Sequence, residues 1–433
     1  MTSAERTFRG YGGANRATWH DVVHRSFERS ARGADDDSPE DVLRTMVKDL
    51  DNVSRYRIPV DGVVLSRFLD RFVELAVSAI EQGDRPGVAD FPDVVQAAAS
   101  VFAAAGLAGW PVHLAKASYY ARVTEGDEAR RRELALALRA CRTALDRVEV
   151  DLATAQFAID LTEYQSAARL LDRCLTVCST DPTCAHRLPE VRVCLGNLHY
   201  TQGGLRTALT HYQAALTADV PSDSHRAMRA LARAHHYSGR VLHMLGREEE
   251  ALVSLVRALD HRYMTHAEHE RKSGFQHIAI GEILLLGGAW DESEHHFTEA
   301  RRVFARLRHN TAAHAILDAA TSRLAVRRGR YDEALALLDN AVSGSRAGGY
   351  RRGAVLFELH RANLLLRRRA YGATVRSGLA AIGAWLPFLR RGNGFRAVRG
   401  AVEYAWAFLR QVLSRRRAPV RRLSCPCPVH RQP

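Results

Sequence analysis

Seven cysteines and twenty histidines are this 433-residue chain's stock of metal ligands and nucleophiles. His20 and His24 stand i, i+4 and could chelate from one turn of a helix, but no carboxylate accompanies them. His266 and His269, with Glu268, Glu270 and the nearby His261, read as a solvated face. Cys174, Cys178, Cys184 and His186 are zinc-ligand types, yet they also suit buried thiols that pack as small hydrophobes. The most suggestive cluster is Cys425-Pro-Cys427-Pro-Val-His430. Its three ligands sit in a tail that reads as disordered, which makes a weak site, so no metal and no cofactor is expected. There is no nucleophile elbow, no H-E-x-x-H and no G-x-x-x-x-G-K-[ST] phosphate loop. The chain is therefore not expected to be an enzyme.

The elements that would carry such residues are helical. Prolines number only thirteen, and Ala, Leu and Arg, all strong helix formers, are abundant. The formal charge of +14 is unevenly spread. Beyond Leu389, Arg390, Arg391, Arg396, Arg399, Arg410, Arg415, Arg416, Arg417, Arg421, Arg422 and Arg431 face one acid, Glu403. The rest is nearly balanced, which argues against nucleic-acid binding by the whole chain. The start, MTSAERTFRG, lacks the apolar core of a secretory signal. The most apolar run, Val94 to Val112, is rich in Ala and Gly and breaks at Trp110-Pro111, so it reads as a packed helix and turn rather than a membrane span. Unevenly spaced cysteines without a signal point to reduced thiols and a cytoplasmic address.

Internal repetition decides the architecture. Leu195–Leu216, Ser238–Leu259, Ile280–Arg301 and Thr321–Val342 align with one another, and weaker copies lie at Thr154–Leu175 and Arg361–Ile382. Gly203, Gly246, Gly288 and Gly329 share one position, where Thr162 and Arg369 stand in the outer copies. Two residues later come Tyr164, Leu205, Glu248, Trp290, Tyr331 and Tyr371. A first small position holds Ala167, Ala208, Ala251, Ser293, Ala334 and Thr374; a second holds Cys174, Ala215, Ala258, Ala300, Ala341 and Ala381. A Gly between helical runs permits a tight turn, and small residues let two helix backbones approach.

This pattern resembles the tetratricopeptide repeat (TPR) family, with Leu205 and Glu248 departing from its aromatic position. The resemblance implies an all-α, right-handed TPR-like solenoid in which each repeat is a helix pair. The period, 40 to 43 residues between successive turn positions, exceeds the family's usual ~34; it is similar in proportion to bacterial regulatory TPR proteins. In that family the first helix of each repeat lines a concave groove that binds a peptide or partner helix. Carried over position by position, the groove row is Gln156, Asn197, Arg240, Glu282, Arg323 and Asn363. Arg233, His236, His243 and Arg327 fall on the same general face and would add positive potential. Asn side chains could bond a peptide backbone through donor and acceptor, and Arg240 and Arg323 could grip a carboxylate. The family's carboxylate clamp of Lys, Asn and Arg is not reproduced.

The flanks complete the expected layout. Residues 1–38 read as a disordered N-terminus. Residues 39–148 read as a helical N-terminal region, either degenerate repeats or a bundle, with runs near 39–55, 60–82, 92–106, 112–123 and 127–147. Ser38-Pro39-Glu40-Asp41 looks like a helix start with Pro in the first turn. Six repeats of about 41 residues fill 149–385. Residues 386–416 read as a basic amphipathic helix, with Phe395, Val398, Val402, Ala405, Leu409 and Val412 on one stripe, capping the array. Residues 417–433 read as a disordered Arg/Pro/Cys tail. The expected function is a protein- or peptide-binding scaffold whose partner carries acidic groups. The alternative is a peptide-sensing regulator with the N-terminal region as output; a third reading is an accessory domain of an enzyme. The Arg-rich C-terminus leaves contact with nucleic acid or an anionic surface open. No transmembrane segment is expected.

Overall fold

The computed structural model describes residues 39–55, 68–69, 71–73, 75–76, 98–103, 107–121, 126–218, 225–264, 271–306, 311–347, 350–389 and 425. The expectations for 1–38, for 386–416 beyond Leu389 and for 417–433 apart from Cys425, with those for His20, His24, His266, His269, Cys427 and His430, lie outside the described residues; residues 386–389 continue the helix that begins at Tyr371. Among the described residues, the regular secondary structure is helical throughout, and no helix is long and apolar enough to cross a membrane. The chain divides into two compact units, Met1–Ala153 and Thr154–Pro433.

The first unit contains α1 (Pro39–Arg55), α2 (Trp110–Tyr120) and α3 (Asp127–Ala140). Its core gathers Leu43, Met46, Leu50, Phe68, Phe72, Phe102 and Ala115, with the Phe72 and Phe102 rings 5.2 Å apart. His113 on α2 meets the Glu133 carboxylate on α3 at 2.7 Å. The helical run expected over 127–147 is instead two helices. It breaks at Cys141, whose backbone is extended. Thr143 Oγ1 then accepts the Asp146 amide N–H, while Asp146 Oδ2 accepts the N–H groups of Thr143 and Arg142. That reciprocal capping box starts α4 (Ala144–Asp160).

From α4 onward the helices alternate in a strict beat. First helices are α4, α6 (Leu188–Thr201), α8 (His225–Met244), α10 (Arg271–Leu286), α12 (Thr311–Arg327) and α14 (Arg351–Arg367). Second helices are α5 (Tyr164–Thr180), α7 (Leu205–Leu216), α9 (Glu248–Met264), α11 (Trp290–Ala305), α13 (Tyr331–Ala347) and α15 (Tyr371–Leu389). A 3₁₀ turn at Ala185–Arg187 precedes α6. Each second helix starts at the residue of the aromatic position. Where Glu248 replaces the aromatic, its carboxylate sits in the first turn of α9, favoured by the helix dipole, and contacts His243 Nδ1 at 2.5 Å.

Each pair is joined by one turn design. Gly203, Gly246, Gly288 and Gly329 have φ between 76° and 82°, and Thr162 and Arg369 adopt the same left-handed backbone at 64° and 60°. In all six, the N–H one residue further on bonds the carbonyl five residues back, as in Glu163 to Ala158 at 2.8 Å and Ala370 to Leu365 at 2.9 Å. This Schellman arrangement closes the first helix and aims the second.

The paired helices then meet over small residues. Ala167, Ala208, Ala251, Ser293 and Ala334 are fully enclosed, as are Ala215, Ala258, Ala300 and Ala341. Opposite them the first helices offer glycine: a Cβ on Gly196, Gly239 or Gly281 would stand 2.3 Å from Tyr212, 2.6 Å from Leu255 or 2.6 Å from Phe297. The cores between repeats form from the same helices, with Val193, Tyr212, Ala234, Val241, Leu255, Ile280 and Leu284 in one cluster. Phe297, Phe304, Leu317 and Leu324 lie in the next.

Two stability effects follow. Thr162→Gly relieves a β-branched residue of a left-handed backbone and is expected to raise unfolding free energy by about 1 kcal/mol in urea titrations. Gly196→Ala is expected to cost about 1–3 kcal/mol in the same assay, because the added methyl meets a ring that is tied down.

Candidate functional site

The six residues of the expected groove row stand at one place in each repeat, six residues before the left-handed turn residue. The shared turn geometry therefore gives them a common register on successive first helices. Two neighbouring pairs bond directly: Asn197 Nδ2 donates to Gln156 Oε1 at 3.5 Å, and the Arg323 guanidinium donates to the Glu282 carboxylate. Each partner lies 41 residues from the other, one repeat away, so the row lies where consecutive first helices meet.

The members differ in what remains accessible. Asn197 is buried, and its Oδ1 accepts a 2.9 Å hydrogen bond from the Tyr212 hydroxyl. Its acceptor is thus committed to the partner helix rather than offered to a ligand. Gln156 Nε2 also donates to Asp160 at 3.1 Å. Arg240 is half-buried, with its guanidinium carbon 5.7 Å from the centre of the Tyr200 ring. Asn363 and Arg327 are exposed.

On α8 the basic residues Arg233, His236, Arg240 and His243 share one stripe at i, i+3, i+7 and i+10. Their charge is smaller than their number. His243 faces Glu248. Arg233 hydrogen-bonds Cys194 and interacts with Glu190 on the preceding first helix. His236 Nδ1 is buried without a hydrogen-bond partner; burial, reinforced by Arg240 and Arg262, lowers its pKa to about 3. Tyr200, Tyr212 and Tyr237 add an aromatic wall, with Tyr212 and Tyr237 stacked at 5.6 Å and the Tyr200 and Tyr237 rings tilted at 6.3 Å.

Several features escaped the sequence pattern. Arg328 and Arg368, each just before a turn residue, reach back to the preceding second helix: Arg328 to Asp291 and Glu294, both at 2.8 Å, and Arg368 to Asp332. The alternation of Arg before the turn and acid in the next helix's first turn was the available signal. Glu358 is buried and held by Arg346 at 2.7 Å and by the Ser377 hydroxyl at 2.7 Å. Buried His277 and His296 face each other through their Nδ1 atoms at 2.9 Å. Cys174, Cys178 and Cys184 are all buried. Among the described residues, no three His, Cys, Asp or Glu side chains are grouped to hold a metal ion.

Burial keeps three imidazoles neutral. His235 is lowered to about 4 by burial, then by His261 and Arg257. His360 is lowered to about 3 by burial, then by Arg323. Unfolded, each would take a proton near the ordinary 6.5, so the contribution to stability is complete above that pH and is lost as pH falls towards the folded value. Urea titrations from about pH 7.5 down to about pH 4.5 should show falling stability, by up to about 1.4 kcal/mol per pH unit for each such histidine. His236→Gln should flatten that slope.

No family model matches the chain, and no curated protein matches it either. Solved structures do. Aspartyl phosphate phosphatase F from Bacillus subtilis is similar at a TM-score of 0.50 and 10% identity, over 87% of this chain and 94% of that one. A Rap protein complexed with Competence and Sporulation Factor is similar at 0.46 and 13%, over 83% and 99%. A signal transduction ATPase with a tetratricopeptide repeat sensor, from Pyrococcus horikoshii, is similar at 0.47 and 15%, over 88% and 55%. With its turns, small contact positions and alternating helices, the chain has the fold of the TPR-type helical repeat proteins.

Proposed function

We propose that the repeat array is a binding scaffold that holds a peptide or protein segment along the face where its first helices meet. One observation carries this reading: a polar row, one residue per repeat, in fixed register on successive first helices. An extended peptide presents an amide donor and acceptor at each residue, and Gln156, Asn363 and the Arg side chains can trade contacts with it. Arg240, backed by the Tyr200 ring, and Arg323 are the residues assigned to acidic groups of the partner. Arg233, His236, His243 and Arg327 shape the same face, and Glu282 sets Arg323. We place the protein in the cytoplasm, a reading supported by the described cysteines, none of which is in a disulfide.

A second reading has a specific observation behind it. The N-terminal unit has an apolar core of its own, as an output module controlled by a ligand-binding array would. The scaffold would then act as the sensor of a regulator.

Screening acidic peptides of about ten residues by fluorescence anisotropy tests the scaffold reading. Binding is expected, and the Arg240→Glu/Arg323→Glu double variant should weaken it at least about tenfold, roughly 1.4 kcal/mol, with helicity unchanged. An affinity indifferent to both substitutions would sink the assignment.

A further inference from the structure

The last second helix, α15, departs from the other five on the side it shows to water. Three residues after the left-handed turn residue those helices carry Gln165, Arg206, Glu249, Asp291 and Asp332, all exposed, and α15 carries Gly372. Fourteen residues after it they carry Thr176, Thr217, Asp260, Arg302 and Ser343, again all exposed, and α15 carries Gly383. Ten residues after it Asp172, Gln213, Thr298 and Asp339 are exposed and Val256 is buried, whereas α15 places Leu379 there, 63% exposed. Tyr371, Val375 and Ile382 are exposed beside these three, so six residues form one strip without a charge. Glycine lowers helix stability relative to alanine, and no packing inside the chain requires it here. A Cβ on Gly383 meets nothing within 4 Å, and one on Gly372 only the Arg376 guanidinium at 4.0 Å.

We propose that this strip is a homodimer interface, in which α15 packs antiparallel against α15 of a second copy. Its positions are symmetric about the level of Ser377: Val375 and Leu379 lie two residues to either side, Gly372 and Ile382 five, Tyr371 and Gly383 six. A twofold axis at that level therefore sets Val375 of one copy beside Leu379 of the other, and Tyr371 with Gly372 beside Ile382 with Gly383. Each end of the contact combines two large side chains with two glycines. The glycines let the backbones approach and the large residues fill the space left, the device that already joins Gly196 to Tyr212 and Gly281 to Phe297 within the array. The strip is about 18 Å long. It exposes on the order of 500 Å² per copy, so pairing two covers about 1,000 Å², the size at which specific interfaces begin.

Sedimentation velocity of the full-length protein, from about 1 to 100 μM, tests the interface. A species of twice the 48.1 kDa chain mass is expected. It should persist in about 0.5 M salt, where association through the Arg-rich end of the sequence would be screened. Leu379→Asp should raise the dimer dissociation constant at least about tenfold, because it puts a charge into the buried strip of each copy. The variant should fold, since Asp172 and Asp339 hold the same place in other repeats, and circular dichroism checks that it does. Gly383→Leu adds apolar surface, yet it should also weaken the dimer about tenfold by filling the notch. A monomer at every concentration would overturn the proposal, as would a dimer that salt dissolves or that Leu379→Asp leaves intact. Tighter association of Gly383→Leu would overturn it too, since the strip would then be adhesive without being packed.

Discussion

Everything in the repeat array depends on how closely the two helices of each pair approach. Glycine on the first helix faces a large side chain on the second: Gly196 takes Tyr212, Gly239 takes Leu255 and Gly281 takes Phe297. Alanine or serine on the second helix closes the remaining gap. The large residue is therefore driven against backbone, where it excludes water over its whole surface. The left-handed turn delivers the second helix into this contact at the right angle, which is why Thr162 and Arg369 accept a strained φ instead of changing the turn. Close packing and turn geometry constrain each other, and the repeat spacing is their product.

That spacing determines the chemistry of the face where first helices meet. Residues six before each turn come into register, so a side chain from one repeat finds its counterpart in the next, as Gln156 finds Asn197 and Glu282 finds Arg323. Asn197 shows how far the two roles can merge: the same side chain receives the Tyr212 hydroxyl that anchors the helix pair. The row is thus partly a ladder between repeats and only partly a ligand surface. Salt bridges from Arg328 and Arg368, each at the end of a first helix, reach the preceding second helix and so also link successive repeats. Being exposed, they contribute little singly, but they repeat in register.

The sequence disclosed these features to the extent that they repeat. The turn residues, the small positions and the starts of the second helices were legible because six copies impose the same steric demand, and even the exceptions at Thr162 and Arg369 take the predicted backbone. Features that occur once were harder to see. The capping box at Thr143 and Asp146, which splits the expected 127–147 helix, was written as T-x-x-D but was masked by a continuous helix-forming run. The polar row was visible, its pairing was not: Arg323 counts as a cation in sequence and as half of an ion pair in the fold. Likewise His236 counts as a basic residue until burial denies it a proton. The contact of Cys425 with His296 joins positions 129 residues apart, and no local pattern encodes such a pairing.

The end of the array shows why a long-range contact matters there. Repeat arrays stop only where a terminal surface is made tolerable to water. On α15, Tyr371, Val375, Leu379 and Ile382 form a stripe at i, i+4, i+8 and i+11, each more than half exposed. Such a stripe is the surface a seventh repeat would cover. The chain continues past Leu389, and Cys425 lies back on the fourth repeat, 36 residues further on. The contact of Cys425 with Glu292 and His296 therefore joins a residue beyond the last repeat to the fourth one, a link that nearest-neighbour contacts between repeats do not supply.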